Sequence, residues 1–181
     1  MKVELKANGK TVQVEMTKEQ LKRLGLIEEQ PTGYERVKKG DVYYFNITRS
    51  ETVAEVECNR RIDEGRYDTG NYYNDKVIAK NNARADKLSR QLRQWQDLND
   101  EPVLKEFWKS EEEVKYYIAY SFEEDLNGRE KGFVVRKCWQ ECVPNVIYFT
   151  SKRKAEEAVK VFKDELRWYF TEYQQRLDEE R

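Results

Sequence analysis

Apolar and polar residues alternate through "KVELKANGKTVQVEM" at the start of the chain, with Asn8-Gly9 in the middle of the alternation. A period of two marks a half-buried strand, and Asn-Gly suits the two-residue turn of a hairpin, where both central residues take φ > 0. The pattern predicts a β-hairpin. In the "TKEQLKRLGL" that follows, Thr17 stands as an N-cap, Gln20 takes the capping-box position and Gly25 is a stop, so a short helix is expected. Residues 1–30 read as one N-terminal unit that runs into the linker-like "EEQPTG".

From Tyr34 onward the pattern changes from period two to period 3.6, and does so twice. Residues 31–100 hold "YERVKKGDVYYFNI", "TVAEVEC" and "GNYY", then a helical stretch from about 74 to 98. Residues 101–181 hold "EEEVKYYIAYSF", a turn at Asn127-Gly128, "GFVVRKCWQECV" and "VIYF", then a helical stretch from about 151 to 175. Each copy has a tyrosine pair in its first strand and an aromatic pair just before its helix. Val77, Ala85, Leu88, Leu92 and Trp95 share one face of the first helix. Ala155, Ala158, Val159, Phe162, Leu166 and Phe170 share one face of the second, behind Thr150 or Ser151 as N-cap. The expectation is an α+β fold: a hairpin with a short helix, then two degenerate strand-strand-(strand)-helix repeats whose antiparallel sheets are each covered by a long helix.

Composition narrows the chemistry. The chain is 38% charged, yet 13% aromatic residues give it a core. A net charge of -1 gives no overall attraction to nucleic acid or membrane, so any steering is local. The opening residues lack the apolar core of a signal peptide and no long apolar run occurs, so a cytoplasmic location without membrane contact is expected. The absence of histidine removes His-based acid–base and nucleophile systems and the common zinc hydrolase sites. No P-loop or dinucleotide fingerprint occurs, so no enzyme activity, cofactor or metal is expected. Cys138 and Cys142, if both lie in one strand, stand roughly 13 Å apart, too far to share a zinc, and are read with Cys58 as reduced, buried thiols.

Two charged features remain. Lys76, Lys80, Arg84, Lys87 and Arg90 form one stripe on the first long helix, and residues 76–93 hold six bases against one acid. Arg60, Arg61 and Arg66 lie just upstream, and Tyr67, Tyr72 or Tyr73 is placed to stack on bases. The set suits nucleic-acid or phosphate binding, although a solvated helix face carries the same pattern. The opposite sign gathers in Glu111, Glu112, Glu113, Glu123, Glu124 and Asp125, a strip that could dock on a partner's basic groove. Glu113 and Lys115 in "EVK", after Asp97 and Asp100, have the spacing of a Mg²⁺-dependent nuclease, which charge-rich chains also produce by chance.

"RYDTGNYYNDK" and "YFTSKRKAEEAVK" together resemble a GNYF-x-TKEEAE pattern of small phage and prophage proteins in gut bacteria. The first stretch keeps "GNYY" and the second keeps "YFTSKRKAEEA". The layout is also similar to type II-A anti-CRISPR proteins of gut Clostridia-related phages. That resemblance implies a non-enzymatic inhibitor of a host defence nuclease, acting in the infected cell on Cas9 or the Cas9–guide RNA complex by blocking target DNA binding or cleavage. The alternatives are a general DNA- or RNA-binding module using the basic helix and a sponge for nucleotide second messengers. Oligomeric state is not legible.

Overall fold

The computed structural model describes residues 2–7, 10–26, 32–47, 51–124 and 130–173, and these carry three antiparallel sheets. The first pairs β1 (Lys2–Ala7) with β2 (Lys10–Glu15). The predicted Asn8-Gly9 turn lies outside the described residues, as do Asn127-Gly128 and Asp125. Helix α1 (Lys18–Arg23) begins as its capping box requires. Thr17 Oγ1 accepts from the Gln20 N–H at 3.2 Å, and Gln20 Oε1 accepts from the Thr17 N–H at 2.9 Å. Gly25 follows at φ +67.

The second sheet pairs β3 (Val42–Asn46) with β4 (Thr52–Val56). Its aromatic residues divide by parity, as a pleat demands. Tyr43 and Phe45 are buried with Tyr72 on one face, while Tyr44 packs with Tyr34, Tyr73, Ile78 and Ala79 on the other. Tyr73 adds a short third rung, exchanging two backbone hydrogen bonds with Tyr44 at 2.7 and 2.9 Å. The Tyr44 face receives α3 (Lys76–Asn99). The Tyr43 face is covered by α2 (Arg61–Asp68), a helix where the sequence pattern shows only a connection. This sheet is therefore flanked on both faces, not on one as expected. Val77 is 64% exposed instead of buried. Asp75 caps α3 by accepting from the Val77 and Ile78 N–H groups, and the resulting phase turns Ile78 and Ala79 inward.

A strap over residues 32–35 ties this sheet to the start of α3. Glu35 accepts from the Thr32 hydroxyl and N–H, both at 2.7 Å, and from Asn74 Nδ2 at 3.0 Å. The Thr32 hydroxyl, then its N–H, hold the Glu35 carboxyl down at about 2. Gly33 is buried at φ +91, and a Cβ there would collide with Ile78 Cδ1 and stand 3.3 Å from Asp75 Cβ. Gly33→Ala is thus predicted to lower stability by about 1–3 kcal/mol, through backbone strain and overpacking together. Urea unfolding would measure it; a midpoint equal to that of the wild type would contradict the packing.

The third sheet has the order β6-β5-β7, from β5 (Lys115–Glu124), β6 (Glu130–Cys138) and β7 (Tyr148–Phe149). Helix α5 (Lys152–Val161) starts at Ser151, whose side chain accepts from the Lys154 N–H at 3.3 Å. The expected continuous second helix is broken at Phe162. It continues as α6 (Lys163–Trp168) and a π-helical turn, Tyr169–Tyr173. The break keeps Phe162 and Leu166 against the core while turning Glu165 and Trp168 toward α3. The core unites Leu88 and Leu92 of α3 with Phe149, Ala155, Ala158 and Leu166, so the C-terminal half of α3 packs on the third sheet's elements. Helix α4 (Lys105–Lys109) lies on the other face, where Trp108 meets Tyr148 edge-on at 4.8 Å. No helix among the described residues is long and apolar enough to cross a membrane.

Candidate nucleic-acid interface

Helix α3 carries the basic stripe with Lys76, Lys80, Lys87 and Arg90 exposed. Lys80, Arg84 and Lys87 line one groove of about 750 Å³ with Thr52, Gln91 and Glu165. Arg84 is held from across the groove. Its Nε and Nη2 donate to the two Glu165 oxygens at 2.8 and 3.0 Å, and its guanidinium lies 4.0 Å from the Trp168 ring centroid. Hydrogen bonding to Glu165 raises the Arg84 pKa. The same bonds, followed by the fields of Arg84 and Lys87, hold Glu165 below the usual carboxylate range against its partial burial. Sequence reasoning missed Glu165 and Trp168, because α3 and α6 meet only in three dimensions.

The residues upstream of the stripe have other roles. Tyr72 and Tyr73 are 2% and 6% exposed, so neither can stack on a base. The expectation of a base-stacking ring is corrected for both. Tyr72 stacks on Tyr43 at 4.1 Å and donates its hydroxyl proton to Glu57 at 2.8 Å. Tyr67 is the partly open ring of this group, 43% exposed and edge-on to Tyr72. Arg66 is turned inward, with its guanidinium 3.5 Å from the Phe45 ring centroid and a hydrogen bond to the Tyr43 hydroxyl. Arg60 binds Asp63 and Glu55. Arg61 is exposed on the first turn of α2.

Beneath these arginines lies a buried polar network that the sequence did not announce. Glu57 and Asp63 are both fully buried. Glu57 accepts from Arg36, the Tyr72 hydroxyl and the Asn59 N–H. Asp63 accepts from the Tyr43 hydroxyl, the Cys58 and Arg60 N–H groups and the Arg60 guanidinium. With so many donors aimed at them, these carboxylates hold structure together. Their lone pairs are already engaged.

The acidic residues do not form one strip. Glu111, Glu112 and Glu113 are exposed before β5, while Glu123 and Glu124 are exposed at its far end. Ten residue steps, most of them along β5, separate Glu113 from Glu123 by about 30 Å. Two residues of the nuclease spacing have structural partners. Asp100 accepts from the Thr150 N–H and hydroxyl. Lys115, 1% exposed, donates to the Phe107 and Glu113 carbonyls at 2.6 and 2.9 Å. Of the cysteines only Cys138 is buried; β6 ends there, and Cys58 and Cys142 are exposed. A second cavity, about 500 Å³, lies between α3, residues 144–147 and the π-helical turn, with Leu88, Ile118 and Phe149 in its wall. No known protein family, curated protein or solved structure matches the chain.

Proposed function

We propose that the protein is a non-enzymatic binder of nucleic-acid backbone and that α3 is its contact surface. The observation that carries the reading is the convergence of Lys80, Arg84 and Lys87 on one open groove. Lys76 and Arg90 extend the same exposed face, giving cationic cover along about 21 Å of helix axis. With Tyr72 and Tyr73 buried, the contact is to phosphate and independent of sequence. The resemblance to phage proteins supplies the setting: an inhibitor of a host defence nuclease, with guide-loaded Cas9 as partner and α3 meeting the guide RNA or target DNA. Docking through the acidic residues is the weaker route, because their two groups stand at opposite ends of β5.

The test is fluorescence anisotropy with a labelled single strand of DNA or RNA. Lys80→Glu with Lys87→Glu is predicted to weaken binding roughly 30-fold or more at low salt and to flatten the salt dependence. Equal binding by this variant would end the proposal. Guide-loaded Cas9 orthologues cutting at full rate in excess protein would remove the inhibitor assignment and leave the nucleic-acid one standing.

A further inference from the structure

The α3 groove holds a carboxylate where a phosphate-binding site has no use for one. Glu165 grips Arg84 through two parallel hydrogen bonds at 2.8 and 3.0 Å, the fork geometry that guanidinium offers to carboxylate and phosphate alike. Trp168, itself 7% exposed, lies 4.0 Å beneath the guanidinium and fixes the orientation of the fork. Lys80 and Lys87 stand four residues before and three after Arg84, on the same helix face. Both line the groove that Glu165 lines, with Glu51 as the other acid and Thr52 and Gln91 as neutral donors. The Arg84 and Glu165 side chains are 43% and 42% exposed, so ligand can reach the pair. Exposed ion pairs are weak. A phosphate that also meets Lys80 and Lys87 outbids a single carboxylate.

We infer that Glu165 is an internal stand-in for a ligand phosphate: the free protein keeps Arg84 folded onto Glu165, and a nucleic-acid phosphate displaces the carboxylate and takes the fork. This deepens the reading of α3 as the contact surface and rests on it. Glu165 then sets the affinity threshold, and Arg84 becomes a latent contact that counts only once Glu165 has been released.

The experiment is a double-mutant cycle of Glu165→Gln and Arg84→Gln, read by anisotropy on a labelled single strand across a salt series. Glu165→Gln is expected to bind about 5-fold tighter, because Arg84 no longer has to leave a carboxylate, with little change in the log–log salt slope, since the fork meets the same phosphate in both proteins. Arg84→Gln alone should change affinity less than 2-fold, about the noise of a contact already spent. In the Glu165→Gln background it should return affinity to the wild-type level. Glu156→Gln removes an exposed acid that does not line the groove and must behave as wild type; if it gains as much as Glu165→Gln, net charge is the cause and the inference fails. Wild-type binding with no gain in Glu165→Gln overturns this inference alone. Binding by neither protein overturns the α3 reading as well. Far-UV circular dichroism of each variant verifies that α3 and α6 remain formed.

Discussion

Asp63→Ala should lower the unfolding free energy by about 3 kcal/mol at neutral pH, because it orphans several buried donors at once. The Tyr43 hydroxyl, 2.8 Å from Asp63 Oδ1, loses its acceptor while Arg66 continues to donate into the same oxygen. The Cys58 and Arg60 N–H groups, at 3.2 and 2.9 Å from Oδ2, lose theirs. Arg60 contributes less to the loss, since its half-exposed guanidinium can return to water. Asp63→Asn keeps the shape and one acceptor, and should cost about half as much.

The pH dependence gives the same prediction a second readout. Burial pushes the Asp63 carboxyl up, but the Arg60 N–H and guanidinium, the Tyr43 hydroxyl and the Cys58 N–H outweigh it and hold the group well below the usual carboxylate range. A depressed folded pKa contributes stability that is fully present above the unfolded value, near 4, and is lost as pH falls below it toward the folded value. Wild type should therefore lose stability more steeply than Asp63→Ala between about pH 5 and 2, and the two curves should converge in acid. Glu57 adds to the slope in both proteins, since Arg36 and the Tyr72 hydroxyl depress its carboxyl against burial. Urea titrations across that range are the measurement. A neutral-pH difference below about 0.5 kcal/mol would show that the network carries no stability.

That network also marks where the sequence stopped being readable. The α+β class, the strand pairs, the Thr17–Gln20 box and the start of α5 at Ser151 follow from local periodicity and capping, and neighbouring residues are enough to encode them. Helix α2 has no such signal. Ile62, an apolar side chain in its first turn, is 53% exposed, and its N-cap is an arginine. What holds it is the Asp63 carboxylate below and Arg66 laid on Phe45, polar contacts that no hydrophobic period reports. Val77 lies off the face of α3 that the period itself defines, since Ile78, and not Val77, is in phase with buried Ala85, Leu88 and Leu92. For the candidate site, the cations were legible because exposed Lys and Arg at helical spacing must share a face. Glu165 was not, because it meets Arg84 from 81 residues away. The acidic residues erred the other way: neighbours in sequence, they are pulled apart by the extended β5 between them.

Phe149→Ala is the second change expected to be severe, at about 3–5 kcal/mol. Strand β7 is two residues long, and Phe149 occupies the rung opposite Tyr116 of β5. Its ring is fully buried, meets Trp95 of α3 edge-on at 6.0 Å and packs in the cluster of Leu88, Leu92, Ala155, Ala158 and Leu166. Four elements, α3, β5, α5 and α6, thus converge on one side chain. Ala155 and Ala158 are too small to fill the space from α5. The ring also walls the 500 Å³ cavity, which its loss would enlarge. Val77→Ala, on the exposed side of α3, is the control and should change stability by less than about 0.5 kcal/mol. Thermal and urea unfolding of the two variants side by side would decide it, with near-UV circular dichroism reporting the aromatic cluster. If Phe149→Ala unfolded at the wild-type midpoint, the third sheet would not be anchored through β7. Because Lys80 and Lys87 lie on the groove side of α3, Phe149→Ala should retain nucleic-acid binding wherever it remains folded. The charge-reversed Lys80→Glu, Lys87→Glu protein should do the opposite, remaining folded and failing to bind, so the two variants separate what builds α3 into the protein from what α3 presents to a partner.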